Sequence, residues 1–170
     1  MRRGIRLGVD VGKARTGLAK SDSAGIMALP VRTLPANGAD LRITAQTARE
    51  LEALEVIVGL PRNMDGSEGS AAKYARRWAR RLARRIAPTP VRLVDERLST
   101  VSAHAQLSAS GLSTRKHRGL VDQAAAVVIL ETALEMERVS GEKPGELVVL
   151  AEKVSTTEPP QTGTTEEGPS

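Results

Sequence analysis

Residues 4–12 alternate between apolar side chains and charged or small ones, and this period of two predicts a β-strand. One face carries Ile5, Leu7, Val9 and Val11, and the other carries Arg6, Gly8, Asp10 and Gly12. Asp10 therefore shares its face with glycines, which leave room for an ion or another backbone to approach closely.

The same kind of pattern predicts the remaining elements. Residues 15–20 and 28–34 predict two more strands, the second at a sheet edge because Pro30 interrupts it. Helices are predicted over 40–54, 67–86 and 99–108, buried strands over 56–60 and 91–96, and a last helix from about Asp122 to 139. Strands followed by helix-linked strands indicate an α/β sandwich with a mixed sheet.

Three acidic residues stand at the ends of these elements. Asp10 and Glu96 end apolar strands, and Asp122 lies on the apolar stripe of the last helix. A carboxylate directed at packed apolar surface must be paired, hydrogen-bonded or metal-bound. Singly, Asp122 could be a first-turn acid favoured by the helix dipole, Asp10 a turn residue, and Glu96 a partner for Arg97. Their joint arrangement favours a divalent-metal site for phosphodiester chemistry.

Composition narrows the class of protein. A chain of 170 residues suits one domain, and the absence of cysteine excludes disulfides and cysteine-based zinc sites. No apolar run approaches transmembrane length, which predicts a cytoplasmic protein without a membrane partner. The net charge of +5 favours a polyanionic partner. Tyr74 and Trp78 are the only aromatic residues, so recognition should depend on phosphates and shape rather than on base stacking.

Two basic segments are candidates for phosphate contacts. Arg115, Lys116, His117 and Arg118 adjoin the Asp122 helix and are predicted to bind phosphates next to the metal site, with a plain flexible basic loop as the alternative. The helix predicted over 67–86 carries arginines opposite its apolar stripe, and there a solvated face is the favoured interpretation over a nucleic-acid contact.

Four motifs in collinear order resemble the YqgF/RuvX family. They lie at residues 8–19, 58–67, 95–100 and 121–125, and the resemblance covers roughly the first 138 residues. The family comprises RNase H-like proteins described as Holliday-junction resolvases and as nucleases that mature pre-16S rRNA. The resemblance implies a three-layer sandwich whose mixed five-stranded sheet is flanked by helices.

The resemblance also implies a site. Its metal ligands and catalytic groups fall on Asp10, Glu96 and Asp122, with Mg²⁺ or Mn²⁺ as the cofactor. Two such ions about 3.5–4 Å apart would activate water and stabilise the leaving oxygen. Further nucleic-acid contacts are expected at Lys13, Arg15, Arg62, Asn63, Arg97, Ser99 and Thr100. Resolvase-type relatives can carry a fourth acid where this chain has Ala125. Either Asp95 or Asp65 replaces that acid here, or the site holds its second metal weakly.

The favoured function is metal-dependent hydrolysis at the 5′ end of pre-16S rRNA, with ribosomal particles as possible partners. A resolvase acting on branched DNA and a non-catalytic RNA-binding module stay open as alternatives. An actin-like ATPase is disfavoured, because the chain is too short for tandem domains and has no P-loop. Both a monomer and a homodimer are compatible with the sequence.

The domain is predicted to span residues 1–139. Residues 140–170 are rich in Gly, Glu, Pro, Thr and Ser and are predicted to be a disordered tail. Docking of the apolar segment 147–150 onto the domain is the alternative.

Overall fold

The computed structural model describes residues 1–97 and 114–151, and of residues 114–121 it describes the backbone alone. Within these ranges the strands are β1 (Arg6–Val11), β2 (Arg15–Ser21), β3 (Ala28–Pro35), β4 (Glu55–Leu60), β5 (Val91–Asp95) and β6 (Glu146–Leu147). The helices are α1 (Ala39–Glu50), α2 (Ser70–Ile86) and α3 (Thr114–Ser140). The helix predicted over 99–108 lies outside the described residues.

The strands form one mixed sheet in the order β3-β2-β1-β4-β5-β6. Strands β1 to β3 make the predicted antiparallel meander, with β3 at the edge, and β4 pairs in parallel with both β1 and β5. The expected five strands become six, because Glu146 and Leu147 pair antiparallel with Leu93 and Arg92 on the free edge of β5. A strand of two residues is too short to produce a periodic pattern in the sequence.

Helices cover both faces of the sheet, which confirms the three-layer sandwich. Helices α1 and α2 pack on one face over the larger core, and α3 packs on the other face against β1 to β4. The apolar stripe of α2 is buried as predicted: Ala72, Ala75, Trp78, Ala79, Leu82, Ala83 and Ile86. No helix in the described ranges is long and apolar enough to cross a membrane.

The last helix starts earlier than predicted. Because α3 begins at Thr114, Asp122 lies about two turns inside the helix instead of opening it. The dipole interpretation of Asp122 therefore does not apply, since that effect falls off within the first turn. The backbone of residues 115–118 is part of α3, so the basic run belongs to the same helix as Asp122 rather than to a preceding loop.

A cluster of buried charges ties the amino-terminal ends of the strands together. Glu55 opens β4 and binds Arg2 at 2.8 Å and Arg92 at 3.1 Å. Glu137 near the end of α3 binds Arg2 at 2.7 Å and Arg6 at 3.0 Å. Burial raises the pKa of Glu137, but hydrogen bonds and charge from the arginines outweigh it and lower the pKa to about 2.

The described part of the predicted tail lies against the domain. Val148 donates its backbone N–H to the Val91 carbonyl at 2.9 Å, and Val148 and Leu150 pack on the α1/α2 core. Apolar side chains that extend the edge of β5 can cover part of that core, which explains why this short segment differs from the polar sequence around it. Residues 152–170 lie outside the described ranges.

Candidate metal and catalytic site

The predicted carboxylates meet at the edge of the sheet where the parallel strands end. Asp10 lies one residue before the end of β1, and Glu96 directly follows β5. The backbone N–H of Glu96 donates to the Leu60 carbonyl at 3.1 Å and extends the pairing with β4. Since parallel strands present their carboxyl ends at one edge, this topology places both residues near the same point.

Two glycines make room for the acidic residues, one for the side chain of Glu96 and one for the backbone of Asp122. A Cβ at Gly59 would overlap the carboxylate of Glu96 and Ile129 of α3, so the Glu96 side chain lies across the bare backbone of β4. Gly17 pairs with Asp10 across β1 and β2, and a Cβ there would overlap the backbone carbonyl of Asp122. The absence of both Cβ atoms lets α3 bring Asp122 over the strand that neighbours Asp10.

The carboxyl groups of Asp10 and Glu96 share a hydrogen bond. Burial first, and then the charge of Asp122, raise the pKa of Asp10 to about 6. Burial and the adjacent Asp10 charge raise the pKa of Glu96 to about 8. At neutral pH the pair therefore retains one proton, which the two carboxyl groups share through this hydrogen bond.

The third carboxylate, Asp122, lies near the Asp10–Glu96 pair and forms a salt bridge with Arg15. Arg15 Nε donates to Asp122 Oδ2 at 2.8 Å, with the Asp122 side chain 19% exposed. Within the described ranges, no three acidic or histidine side chains converge closely enough to hold one metal ion. The structure thus joins Asp10 to Glu96 and places Asp122 within electrostatic reach, held by Arg15.

The candidates for a fourth acid have other partners. Asp65 accepts hydrogen bonds from the Ser67 backbone and hydroxyl in the exposed loop after β4. Asp95 binds Arg97 at 2.7 Å, on the other side of β5 from Glu96. Ala125, at the position where a fourth acid was expected, is a buried residue of α3. Neither Asp65 nor Asp95 therefore adds a carboxylate to the Asp10–Glu96 pair.

The predicted nucleic-acid contacts flank the same edge. Lys13 is exposed in the turn between β1 and β2, and Arg62 lies 3.7 Å from Glu68 in the loop after β4. Asn63 donates to Ser67 in that loop at 3.0 Å, and Arg97 is exposed. Ser99 and Thr100 lie outside the described residues, as do the side chains of Arg115, Lys116, His117 and Arg118.

Sequence reasoning missed two parts of this site. It assigned Arg15 to nucleic acid without foreseeing its bond to Asp122, because pairing across 107 residues leaves no local pattern. It also passed over Gly17 and Gly59, although a glycine inside a strand is a recognised sign of close approach by another group.

The order and directions of the strands, with helices on both faces, define an RNase H-like fold. Two solved structures share this fold: Thermus thermophilus RuvC in complex with a Holliday junction substrate, with TM-score 0.53 and 15% identity, and Thermus thermophilus RuvC, with TM-score 0.51 and 13% identity. Each match covers 82% of this chain and 99% of the RuvC chain. The chain belongs to the RuvX family, since the family model described as "RuvX: Holliday junction resolvase" matches residues 4–136.

Relatives agree with that membership. A protein of Streptomyces coelicolor is 55% identical over 150 residues, which cover 86% of this chain and 89% of the relative. A protein of Kineococcus radiotolerans is 52% identical over 151 residues, covering 87% and 80%. Both are named as candidate pre-16S rRNA nucleases. Family and relatives confirm the prediction of a nuclease, a hydrolase of phosphodiester bonds whose substrate is a nucleic acid.

Proposed function

We propose that this nuclease uses a divalent metal, Mg²⁺ or Mn²⁺, to process the 5′ end of pre-16S rRNA in the cytoplasm, with Asp10, Glu96 and Asp122 as its catalytic carboxylates. The observation that supports it most directly is the half-buried Asp10–Glu96 pair with raised pKa values at the carboxyl edge of the sheet. The names of the relatives support the RNA substrate.

The donor set fits a divalent cation. The carboxyl groups of Asp10 and Glu96 lie close together, and their raised pKa values show that the charged forms are disfavoured there. A divalent cation between them would stabilise the charged forms. Their oxygens are the hard ligands that Mg²⁺ and Mn²⁺ prefer. Asp122 could supply a further oxygen once its bond to Arg15 opens. A bound cation would lower the pKa of the attacking water and stabilise charge on the scissile phosphate.

The residues around this pair have separate tasks in the proposal. Asp10 and Glu96 would hold the cation, and the proton that they share would pass to solvent when the cation binds. Arg15, released from Asp122, can donate to a phosphate oxygen at the reacting position. Lys13, Arg62 and Arg97 flank the edge and would position the strand through its phosphates.

The test is hydrolysis by purified variants. Asp10→Asn, Glu96→Gln and Asp122→Asn should each lose about 10²-fold or more in rate, while Glu131→Gln on the exposed side of α3 should cut as the parent does. Retained far-ultraviolet circular dichroism would show that the variants are folded. Normal cleavage by all three would refute the assignment of these residues.

The substrate is tested on the same preparation with Mg²⁺ and with Mn²⁺. We expect faster cleavage of an RNA carrying the 5′ precursor of 16S rRNA than of a four-way DNA junction. The description of the matching family supports the alternative, a resolvase. Preferential cutting of the DNA junction would establish the resolvase activity in place of the RNA-processing activity. Binding to 16S precursor particles, compared with mature particles, would test the ribosomal partner.

A further inference from the structure

Helix α2 presents a surface of positive charge on the side of the sheet opposite α3. Its 17 residues include no acidic residue and seven basic ones: Lys73, Arg76, Arg77, Arg80, Arg81, Arg84 and Arg85. All except Arg76 are exposed. These six exposed cations exceed the net charge of +5 that the whole chain carries.

The cations of α2 fall into two groups. Arg76 is neutralised by Glu68 at 2.5 Å and by Glu146 at 3.0 Å. Along the described ranges no carboxylate forms a salt bridge with Arg77, Arg80 or Arg81, and α1 adds Arg49, whose guanidinium donates to the Arg85 carbonyl at 2.8 Å. The α2 surface is defined here as the exposed residues Lys73, Arg77, Arg80, Arg81, Arg84 and Arg85.

This arrangement is unfavourable for the helix itself. Like charges at i and i+4, such as Arg77 with Arg81, repel each other and destabilise a helix. Arg84 and Arg85 are compatible with the helix dipole because they lie in the last turn, but Arg77, Arg80 and Arg81 gain nothing from it. A helix face that only contacts solvent can carry acidic and basic residues together. The absence of acidic residues from α2 therefore points to an anionic partner.

The position of α2 selects that partner. The helix starts after the loop that follows β4, at the edge with the Asp10–Glu96 pair, and returns to the edge where β5 begins. It is about 25 Å long, which roughly seven nucleotide steps of about 3.4 Å would cover. Asp10 and Glu96 lie on the α3 face of the sheet, so a strand would reach the α2 surface by passing around the carboxyl edge of the sheet, along the loop that carries Arg62.

We propose that the α2 surface is a second nucleic-acid contact, which binds the phosphate backbone of the substrate strand that flanks the cleaved position. This inference rests on the proposed function for the presence of substrate in the site. It replaces the solvated-face interpretation of these arginines and assigns them substrate affinity without a role in the chemical step.

The experiment compares two single-stranded RNAs, a short one that fills the site alone and one extended by roughly ten nucleotides, enough to span α2. The protein is the full chain with Asp10→Asn, so that the RNA stays intact. Arg77→Gln, Arg80→Gln and Arg81→Gln are combined in one variant. The matched control combines Arg3→Gln, Lys20→Gln and Lys143→Gln, which removes the same charge from exposed positions elsewhere.

The α2 variant should bind the long RNA about tenfold or more weakly, and the slope of log K against log salt should fall by about 2, or about 0.7 for each of three phosphate contacts. Binding of the short RNA and of both RNAs by the control should stay near parental values. The melting temperature of the α2 variant should hold or rise, because repulsion within the helix is relieved. A merely structural role would instead lower it.

Parental affinity of the α2 variant for the long RNA overturns this inference. Equal losses on the short RNA, or in the control variant, overturn it as well, since they would place the effect at the site or in net charge. If the protein without the α2 changes binds neither RNA, the proposed RNA substrate fails and this inference fails with it.

Discussion

The two ends of the central strands carry acidic pairs in opposite electrostatic settings. At the amino-terminal end, Glu55 and Glu137 are surrounded by Arg2, Arg6 and Arg92, and the pKa of Glu137 falls to about 2. At the carboxyl end, Asp10 and Glu96 hydrogen-bond to each other, and their pKa values rise to about 6 and about 8. The arginines at the amino-terminal end stabilise the fold. The two carboxyl groups at the other end would be stabilised in their charged forms by a bound cation.

Removing a carboxylate should therefore have opposite effects at the two ends. Glu137→Gln leaves Arg2 and Arg6 short of a counter-charge in a buried place, and should lower the free energy of unfolding by about 3–5 kcal/mol. Asp10→Asn removes repulsion and should leave stability unchanged or higher. Urea unfolding measures both, with Glu135→Gln, on the exposed face of α3, as the control that should change little. A Glu137 variant as stable as the parent would contradict the structural role of the arginine cluster.

The pH dependence of stability should also differ in sign. A raised pKa means that Asp10 and Glu96 contribute stability in full below their ordinary values near 4, and that this is lost as pH rises through about 6 and about 8. At about 1.4 kcal/mol per pKa unit, shifts of this size correspond to a loss of several kcal/mol. The lowered pKa of Glu137 acts in reverse, with stability lost as pH falls from 4.5 through about 2.

Metal-free protein in a chelating buffer is the sample for this measurement. Melting temperatures from pH 5 to 9, a range chosen to bracket about 6 and about 8, should fall for the parent and flatten in Glu96→Gln. A parallel fall in both proteins would show that the decline arises elsewhere.

The glycine under Glu96 is a steric test of the carboxyl end. Gly59→Ala forces Glu96 or Ile129 to move, which should cost about 1–3 kcal/mol and reduce cleavage by displacing a proposed ligand. Gly69→Ala is the control, because a Cβ there meets its nearest neighbour, Asn63, at an ordinary 3.6 Å. Unchanged cleavage in Gly59→Ala would mean that the position of Glu96 is not critical.

The sequence alone predicts most of the strands and helices and part of the candidate site. Alternation and apolar runs predicted β1 to β5, the buried stripe of α2 and the edge position of β3, because those features are periodic. Asp10 and Glu96 could be predicted as neighbours from strand ends alone. The start of α3, the strand β6 and the arginine cluster depend on contacts between distant residues, and the bond between Arg15 and Asp122 is of the same kind.

The segment after α3 tests the boundary between domain and tail. The sequence predicts that a chain ending near residue 139 loses less than about 1 kcal/mol and melts within a few degrees of the full chain. The packing of Val148 and Leu150 instead predicts a loss of about 1–2 kcal/mol. A chain ending at 151 should melt with the full-length protein, and only the shorter chain should melt several degrees lower. Equal melting of both would support a boundary at 139.

The smallest expected effect is a change in metal affinity when Arg15, whose guanidinium lies at the carboxyl end of the strands, is replaced. Arg15 binds Asp122 at 2.8 Å and so competes with a metal ion for an oxygen that the proposed site needs. Arg15→Gln should therefore tighten Mn²⁺ binding about three- to fivefold, the equivalent of a pair worth up to about 1 kcal/mol. Titration of substrate-free protein, followed by the electron paramagnetic resonance of free Mn²⁺, measures this without catalysis. Lys13→Gln removes a charge of the same sign two residues away, at an exposed side chain, and should change the affinity less. If both variants bind Mn²⁺ equally, general electrostatics rather than the bond to Asp122 sets the affinity, and if neither differs from the parent, Arg15 does not compete for the site.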